Sequence, residues 1–433
     1  MPETLEAFLS AVHRTFTEVT RKAPDYFAGR PLRAAGPPAG AGEAVRAAFG
    51  ATLRAADREE FTAVDRLLDL RRPGPDGSDG RQCDGEDGDD WAGWRRRLDR
   101  RSAVRSARAA RLAGTMDRRE ARAAGSRVRY RAGGQGPLVV LLTALGHTDE
   151  VWYPLAERLL PGRRVVMWDA EDAAGRPGPA ERRLDAVDAV LAAVDAVLAA
   201  EGVRACDIVG WCSGAQLAVE YAHRRPGAVR AGVLLHGSYP RAATDPASAY
   251  ERNLATVCAS VAARPHRAGR ALRMLTGTEG TAPLPSDEHL AAVEALARVP
   301  PGLEAVLRHP FRDADALVRY SRSLDGLWRR PLPVPAPGSP PLLSLAGELD
   351  RVAAPEPPAA LAPWLAGRQG VLAGATHYSL LERPEVVADV CRAFLDGPAA
   401  AGPPAGSTGE VRWAEAGRPA GTGRRPARAG AAR

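Results

Sequence analysis

Ten residues constrain this chain more than any other stretch: Asp207-Ile-Val-Gly-Trp-Cys-Ser-Gly-Ala-Gln. A short apolar strand runs into Gly210-Trp211-Cys212-Ser213-Gly214, and a helix carrying Leu217, Val219 and Tyr221 follows. A strand that turns this sharply into a helix strains the backbone of its central residue, and flanking glycines keep neighbouring side chains from clashing. Here the central residue is Cys212; Ser213 falls one place later, where it begins the helix and points elsewhere. A thiolate on Cys212 would lie at a helix N-terminus, where the dipole and free N–H groups favour negative charge. The backbone N–H of Ser213 is then a natural donor to an oxyanion. Alone, the motif is equally compatible with a buried structural thiol in a tight turn.

Two downstream segments weigh against that bland alternative. Leu342-Leu-Ser-Leu-Ala-Gly-Glu-Leu-Asp reads as a strand followed by a loop that places Asp350 just past the strand end, with Glu348 a weaker candidate. Val371-Leu-Ala-Gly-Ala-Thr-His reads as a last strand giving way to a small-residue loop bearing His377, before a closing helix over Pro384–Leu395. The chain holds eight histidines, and His147, in Thr143-Ala-Leu-Gly-His after the strand Leu138–Leu142, is the serious competitor. Nucleophile, acid and histidine in this order can form a triad: the histidine exchanges the thiol proton and the acid fixes its tautomer. The second oxyanion donor is expected from the loop after Leu138–Leu142, and register favours the N–H of Leu145.

From Ser126 onward, strands alternate with helices. Arg127–Tyr130, Leu138–Leu142, Val165–Trp168, Asp207–Val209, Val233–His236, Leu342–Leu345 and Gly370–Leu372 read as strands, and Leu184–Ala200 carries a helical apolar stripe. That rhythm predicts an α/β fold with a mainly parallel central sheet and flanking helices. Residues 239–337 interrupt it with helical patterns and prolines, and an insertion there would cover the carboxyl ends of the strands as a lid. The domain that carries the three candidate residues is expected over 126–396. Before it lie a helical N-terminal region over 1–72, a Gly/Asp-rich linker over 73–90 and a basic helical segment over 91–125. The Ala/Gly/Pro/Arg-rich tail over 397–433 is expected to be disordered.

Composition bears on what the chain can bind. The net charge of +7 would suit a nucleic-acid partner, but Lys22 is the only lysine and arginine carries nearly all the positive charge. With abundant Ala, Gly and Pro, that is the signature of a GC-rich coding sequence, and no nucleic-acid-binding module or aromatic interleaving accompanies it. Five scattered cysteines without CxxC spacing give no disulfide framework and no zinc site, so no metal is expected. No apolar run approaches the roughly 20 residues needed to span a bilayer, and no signal-peptide profile opens the chain. These features point to a soluble protein of the cytoplasm that uses neither membrane nor nucleic acid.

From Ser126 to Leu395 the chain resembles the α/β-hydrolase superfamily, and its cysteine elbow is similar to those of dienelactone hydrolases, polyhydroxyalkanoate synthases and aminoacyl shuttles of nonribosomal peptide pathways. The Gly-Trp-Cys-x-Gly-Ala elbow, the N-terminal extension and the length look most like the syringomycin-type shuttle. That resemblance implies an acyl or aminoacyl transferase working between acyl or peptidyl carrier proteins, without a cofactor of its own and with the acyl group presented on a carrier phosphopantetheine. Release of the group to water by the same triad is the alternative. The arginine-dense stretch Trp91–Arg131 could meet acidic carriers, or could be a solvated helix of a GC-biased chain.

Overall fold

A computed structural model describes residues 103, 106–123, 126–169, 185–277, 304–373, 375–397 and 411–413. The helical patterns expected over 1–72 and the linker over 73–90 lie outside the described residues. The nine strands are β1 (Asp117–Ala123), β2 (Ser126–Gly133), β3 (Leu138–Leu142), β4 (Arg164–Met167), β5 (Cys206–Trp211), β6 (Val229–Leu235), β7 (Leu342–Gly347), β8 (Gln369–Leu372) and β9 (Val411–Trp413). They form one sheet in the order β1-β2-β4-β3-β5-β6-β7-β8-β9. The stretch from β4 to β8 is parallel throughout, while β1, β2 and β9 add antiparallel edges.

The central strands are apolar without alternation because both of their faces are covered. Every residue of β3 and β5 is buried. Successive side chains point to opposite faces. Val139, Leu141, Val209 and Val233 therefore join a core with α1 (Tyr153–Leu159). Val140, Leu142, Ile208 and Leu234 join another, with α2 (Ala186–Ala200) and α3 (Ser213–Arg224). Asp185 caps α2 by accepting from the N–H groups of Val187 and Asp188, which explains why the helix begins just after the Leu184 expected from periodicity.

Between β6 and β7 the chain runs through α4 (Ala249–Ala263), α5 (Ala268–Gly277) and α6 (Ala314–Trp328). Ser248 and Glu251 close a reciprocal capping box on α4, and the Asp313 carboxylate caps α6. The last long helix, α7, spans Pro384–Leu395. No helix among the described residues is long and apolar enough to cross a membrane.

Two boundaries differ from the sequence reading. The basic segment 91–125, read as helical, is helical over 106–115 but then enters β1, which pairs residue for residue with β2. The sheet thus starts at Asp117, ahead of the domain start placed at 126. Pairing overrides local propensity here: Asp117-Arg-Arg-Glu-Ala-Arg-Ala is rich in helix formers, yet Ala121 and Ala123 are buried against the core. The tail over 397–433, read as disordered, contributes β9, which pairs antiparallel with β8.

Candidate active site

The elbow forms as its glycines require. Cys212 sits between β5 and α3 with φ 54° and ψ −122°, a conformation that costs a non-glycine residue roughly 1–3 kcal/mol. Its N–H donates to Leu235 O, and its carbonyl accepts from the N–H groups of Ala215 and Ser238. A Cβ on Gly210 would come within 2.4 Å of Gly214 O, and one on Gly214 within 2.2 Å of Leu142 O. Both obstacles are backbone, which cannot rotate away. Gly214→Ala is therefore expected to destabilise the protein by about 3 kcal/mol or more, seen as a lowered urea midpoint. An unchanged midpoint would show that the elbow relaxes freely.

The cysteines separate by environment. Cys206, Cys258 and Cys391 are buried, and burial pushes each thiol up to about 12. Cys212 is half-buried and lines a cavity with His147, Trp211, Tyr320, Trp328 and His377. The cavity holds about 50 Å³ and takes its far wall from α4 and α6, so the insertion between β6 and β7 roofs the elbow.

His377 lies in the loop after β8 and is buried. Three contacts fix that loop: the Trp211 indole N–H donates to His377 O at 3.1 Å, Leu349 N–H donates to Ala375 O, and Thr376 donates to Glu382. A Cβ on Gly347 would lie 2.4 Å from Ala375 O, so the loops after β7 and β8 pack backbone to backbone. His377 Nδ1 is 2.9 Å from Asp350 Oδ2, and the ring lines the same cavity as Cys212. Burial alone would depress the imidazole; the Asp350 carboxylate and Cys212 outweigh it and raise His377 to about 10. Burial acts against the Asp350 anion, and the facing histidines overcome it, holding the carboxyl far below its ordinary range.

Asp350 Oδ1 accepts from the N–H groups of Val352 and Ala353, both at 2.9 Å. Glu348 points elsewhere and pairs with Arg412 at 2.7 Å. His147 faces no acid: its Nδ1 bonds Leu145 O at 3.2 Å, its ring packs edge-on against Trp211, and burial lowers it to about 4. Leu145 N–H donates to the Ser213 hydroxyl at 2.9 Å. Ser213 N–H opens α3 and has no preceding turn to bond.

Sequence reasoning missed one member of this cluster. His236, the residue after β6, is buried and places its Nδ1 3.0 Å from the same Asp350 Oδ2. A signal was present, because His236 ends a central parallel strand, where α/β sheets gather their ligands. His236, Asp350 and His377 bring potential metal-binding atoms within 4.8 Å of one another. Asp350 joins the two imidazoles through one oxygen, and the Ser379 hydroxyl engages the outer nitrogen of His236.

The profile of the alpha/beta hydrolase family matches residues 139–390. No curated protein matches the chain significantly. Among solved structures, the chain is similar to a bacterial membrane phospholipase A described as a virulence factor. Identity is 22%, the alignment covers 70% of this chain and 92% of that one, and the TM-score is 0.46. An esterase from Rhodococcus sp. ECU1013 gives 22% identity, coverage of 65% and 99%, and a TM-score of 0.45. The enol-lactonase from Burkholderia xenovorans LB400 gives 20% identity, coverage of 64% and 100%, and a TM-score of 0.46. With more than half of its length matched by the family profile, the chain belongs to the alpha/beta hydrolase family.

Proposed function

We propose that the protein is an acyl or aminoacyl transferase that moves a thioester-bound group between carrier proteins through an acyl-Cys212 intermediate. The observation that carries this reading is a cysteine, not a serine, at the elbow, facing one cavity with a histidine whose Nδ1 is held by a buried carboxylate. The thiol gives its proton to His377 as the sulfur becomes the nucleophile. Asp350 stabilises the imidazolium and keeps Nδ1 protonated.

Cys212 Sγ attacks the carbonyl of a carrier-bound thioester, and the carbonyl electrons move onto oxygen. Ser213 N–H can stabilise that oxyanion directly. Leu145 N–H joins it after leaving the Ser213 hydroxyl. Collapse breaks the carbon–sulfur bond to the carrier arm, whose thiolate takes the proton from His377. A second carrier's thiol gives its proton to His377 and runs the same steps in reverse. One thioester replaces another, so the exchange is nearly isoenergetic. A serine would form an oxyester and lose that reversibility.

The cavity supports a small cargo. Its volume of about 50 Å³ beside Cys212 accommodates a short acyl or aminoacyl group. Its wall includes Leu254, Leu307, Phe311 and Leu324, which disfavour the water that would hydrolyse the intermediate. Family membership favours a second reading, release of the group to water by the same three residues.

Intact-protein mass spectrometry with an acyl-loaded carrier protein separates the two. Transfer predicts an adduct on Cys212 that passes to an added second carrier. Free acid without transfer would establish the hydrolase, and an outcome with no adduct, no free acid and no transfer would refute both.

A further inference from the structure

His236 takes part in no step above, yet it is among the most constrained side chains in the protein. It has φ 49°, which few non-glycine residues adopt. Its N–H donates to Leu345 O at 2.8 Å, extending the β6–β7 ladder by one bond. The side chain is buried with both ring nitrogens engaged: Nδ1 lies 3.0 Å from Asp350 Oδ2, and Nε2 lies 2.6 Å from the Ser379 hydroxyl. An ionised carboxylate only accepts, so Nδ1 carries a hydrogen. Burial keeps the ring neutral, so Nε2 accepts from Ser379 O–H. The hydroxyl of Ser379 thereby fixes the tautomer that donates to Asp350.

One oxygen, Asp350 Oδ2, thus receives two imidazole N–H groups, from His236 and His377. The other oxygen is already fixed by two backbone N–H groups. The carboxylate therefore needs no help from His236 to point at His377. What His236 changes is the share of Oδ2 left for its neighbour.

We infer that His236 is a positioning residue acting through Asp350: by occupying the oxygen that holds His377, it weakens that hold and eases release of the His377 proton. The inference rests on the roles assigned to Cys212, His377 and Asp350 above. Other titratable groups also face these imidazoles. Cys212 and His147 act on His377, and the Glu382 carboxylate acts on His236.

The pH profile of Cys212 alkylation by iodoacetamide in the full-length protein tests this, with the adduct mapped by peptide mass. It needs no knowledge of the acyl substrate. The wild-type profile is the reference against which the variants are read, and Cys212 is expected to be labelled ahead of the buried Cys206, Cys258 and Cys391. Without the His236 donor, Asp350 concentrates its charge on His377, the imidazolium is favoured, and the thiolate forms at lower pH. For His236→Ala the midpoint should fall by roughly one pH unit. His236→Asn keeps an N–H donor near Nδ1 and tolerates the left-handed backbone, so its profile should stay near wild type. Ser379→Ala, which frees the tautomer without touching the β6 backbone, should shift the same way by less, and serves if His236→Ala does not fold. A midpoint that moves in neither His236→Ala nor Ser379→Ala, or that rises, would overturn the role of His236 and leave the triad standing. A wild-type Cys212 labelled no faster than the buried Cys206, Cys258 and Cys391 would overturn both.

Discussion

Cys212→Ser should reduce carrier-to-carrier transfer by at least ~10³-fold while leaving the fold intact, with slow hydrolysis the most that survives. Two physical causes act together. A serine hydroxyl is a far weaker acid than a thiol, so its proton must be removed by His377 during the attack itself. Any acyl-serine that forms is an oxyester, from which return to a carrier thiol is uphill. Mass spectrometry of the variant with loaded carrier should find no label on the second carrier. Undiminished transfer would identify a different nucleophile.

Asp350→Asn should lower kcat by about 10³–10⁴-fold with little change in the fold. The backbone N–H groups of Val352 and Ala353 demand an acceptor, so the amide oxygen takes their side and the NH₂ group faces both histidines. His377 must then present a lone pair at Nδ1, which moves its hydrogen to Nε2, the nitrogen needed for the thiol proton. The same substitution changes stability with pH. Asp350 is lowered from 3.8, so its contribution is present above that value and lost as pH falls through the depressed one. His377 is raised from 6.5 to about 10, so its contribution is complete below 6.5 and lost as pH rises through about 10. The difference in Tm between wild type and Asp350→Asn should accordingly be largest between pH 3.8 and 6.5 and shrink toward pH 10. A difference independent of pH would mean that the pair is not ionised.

The parts of this architecture that were legible in sequence share a physical property: each is specified locally. β3 and the central part of β5 are runs of apolar residues, α7 begins at a proline, and the elbow needs its glycines in fixed places. The elements that escaped are specified from a distance. β1 is extended because β2 offers it a partner, and its inward residues are alanines too small to mark a buried face. β9 is three residues long, shorter than any pattern can register. His236 is one histidine of eight, and its significance comes from Asp350, 114 positions away in the chain. Asp350 itself was readable against Glu348 from the loop context, while the Leu145–Ser213 bond depends on how the loop after β3 lies over the elbow.

The short strand β9 bears on how this protein is made. Gly370 in β8 has no side chain, and the Trp413 ring and Val411 occupy the space beside it. That covers the outer edge of the strand leading into the His377 loop. During synthesis those residues emerge some forty positions after β8, so for that interval the ribosome holds a nearly finished sheet with an open, pairing-competent rim. Another nascent chain on the same message could dock there. Closure of the rim thus waits for residues made after every parallel strand, and the strand that supports the histidine depends on them for its outer partner.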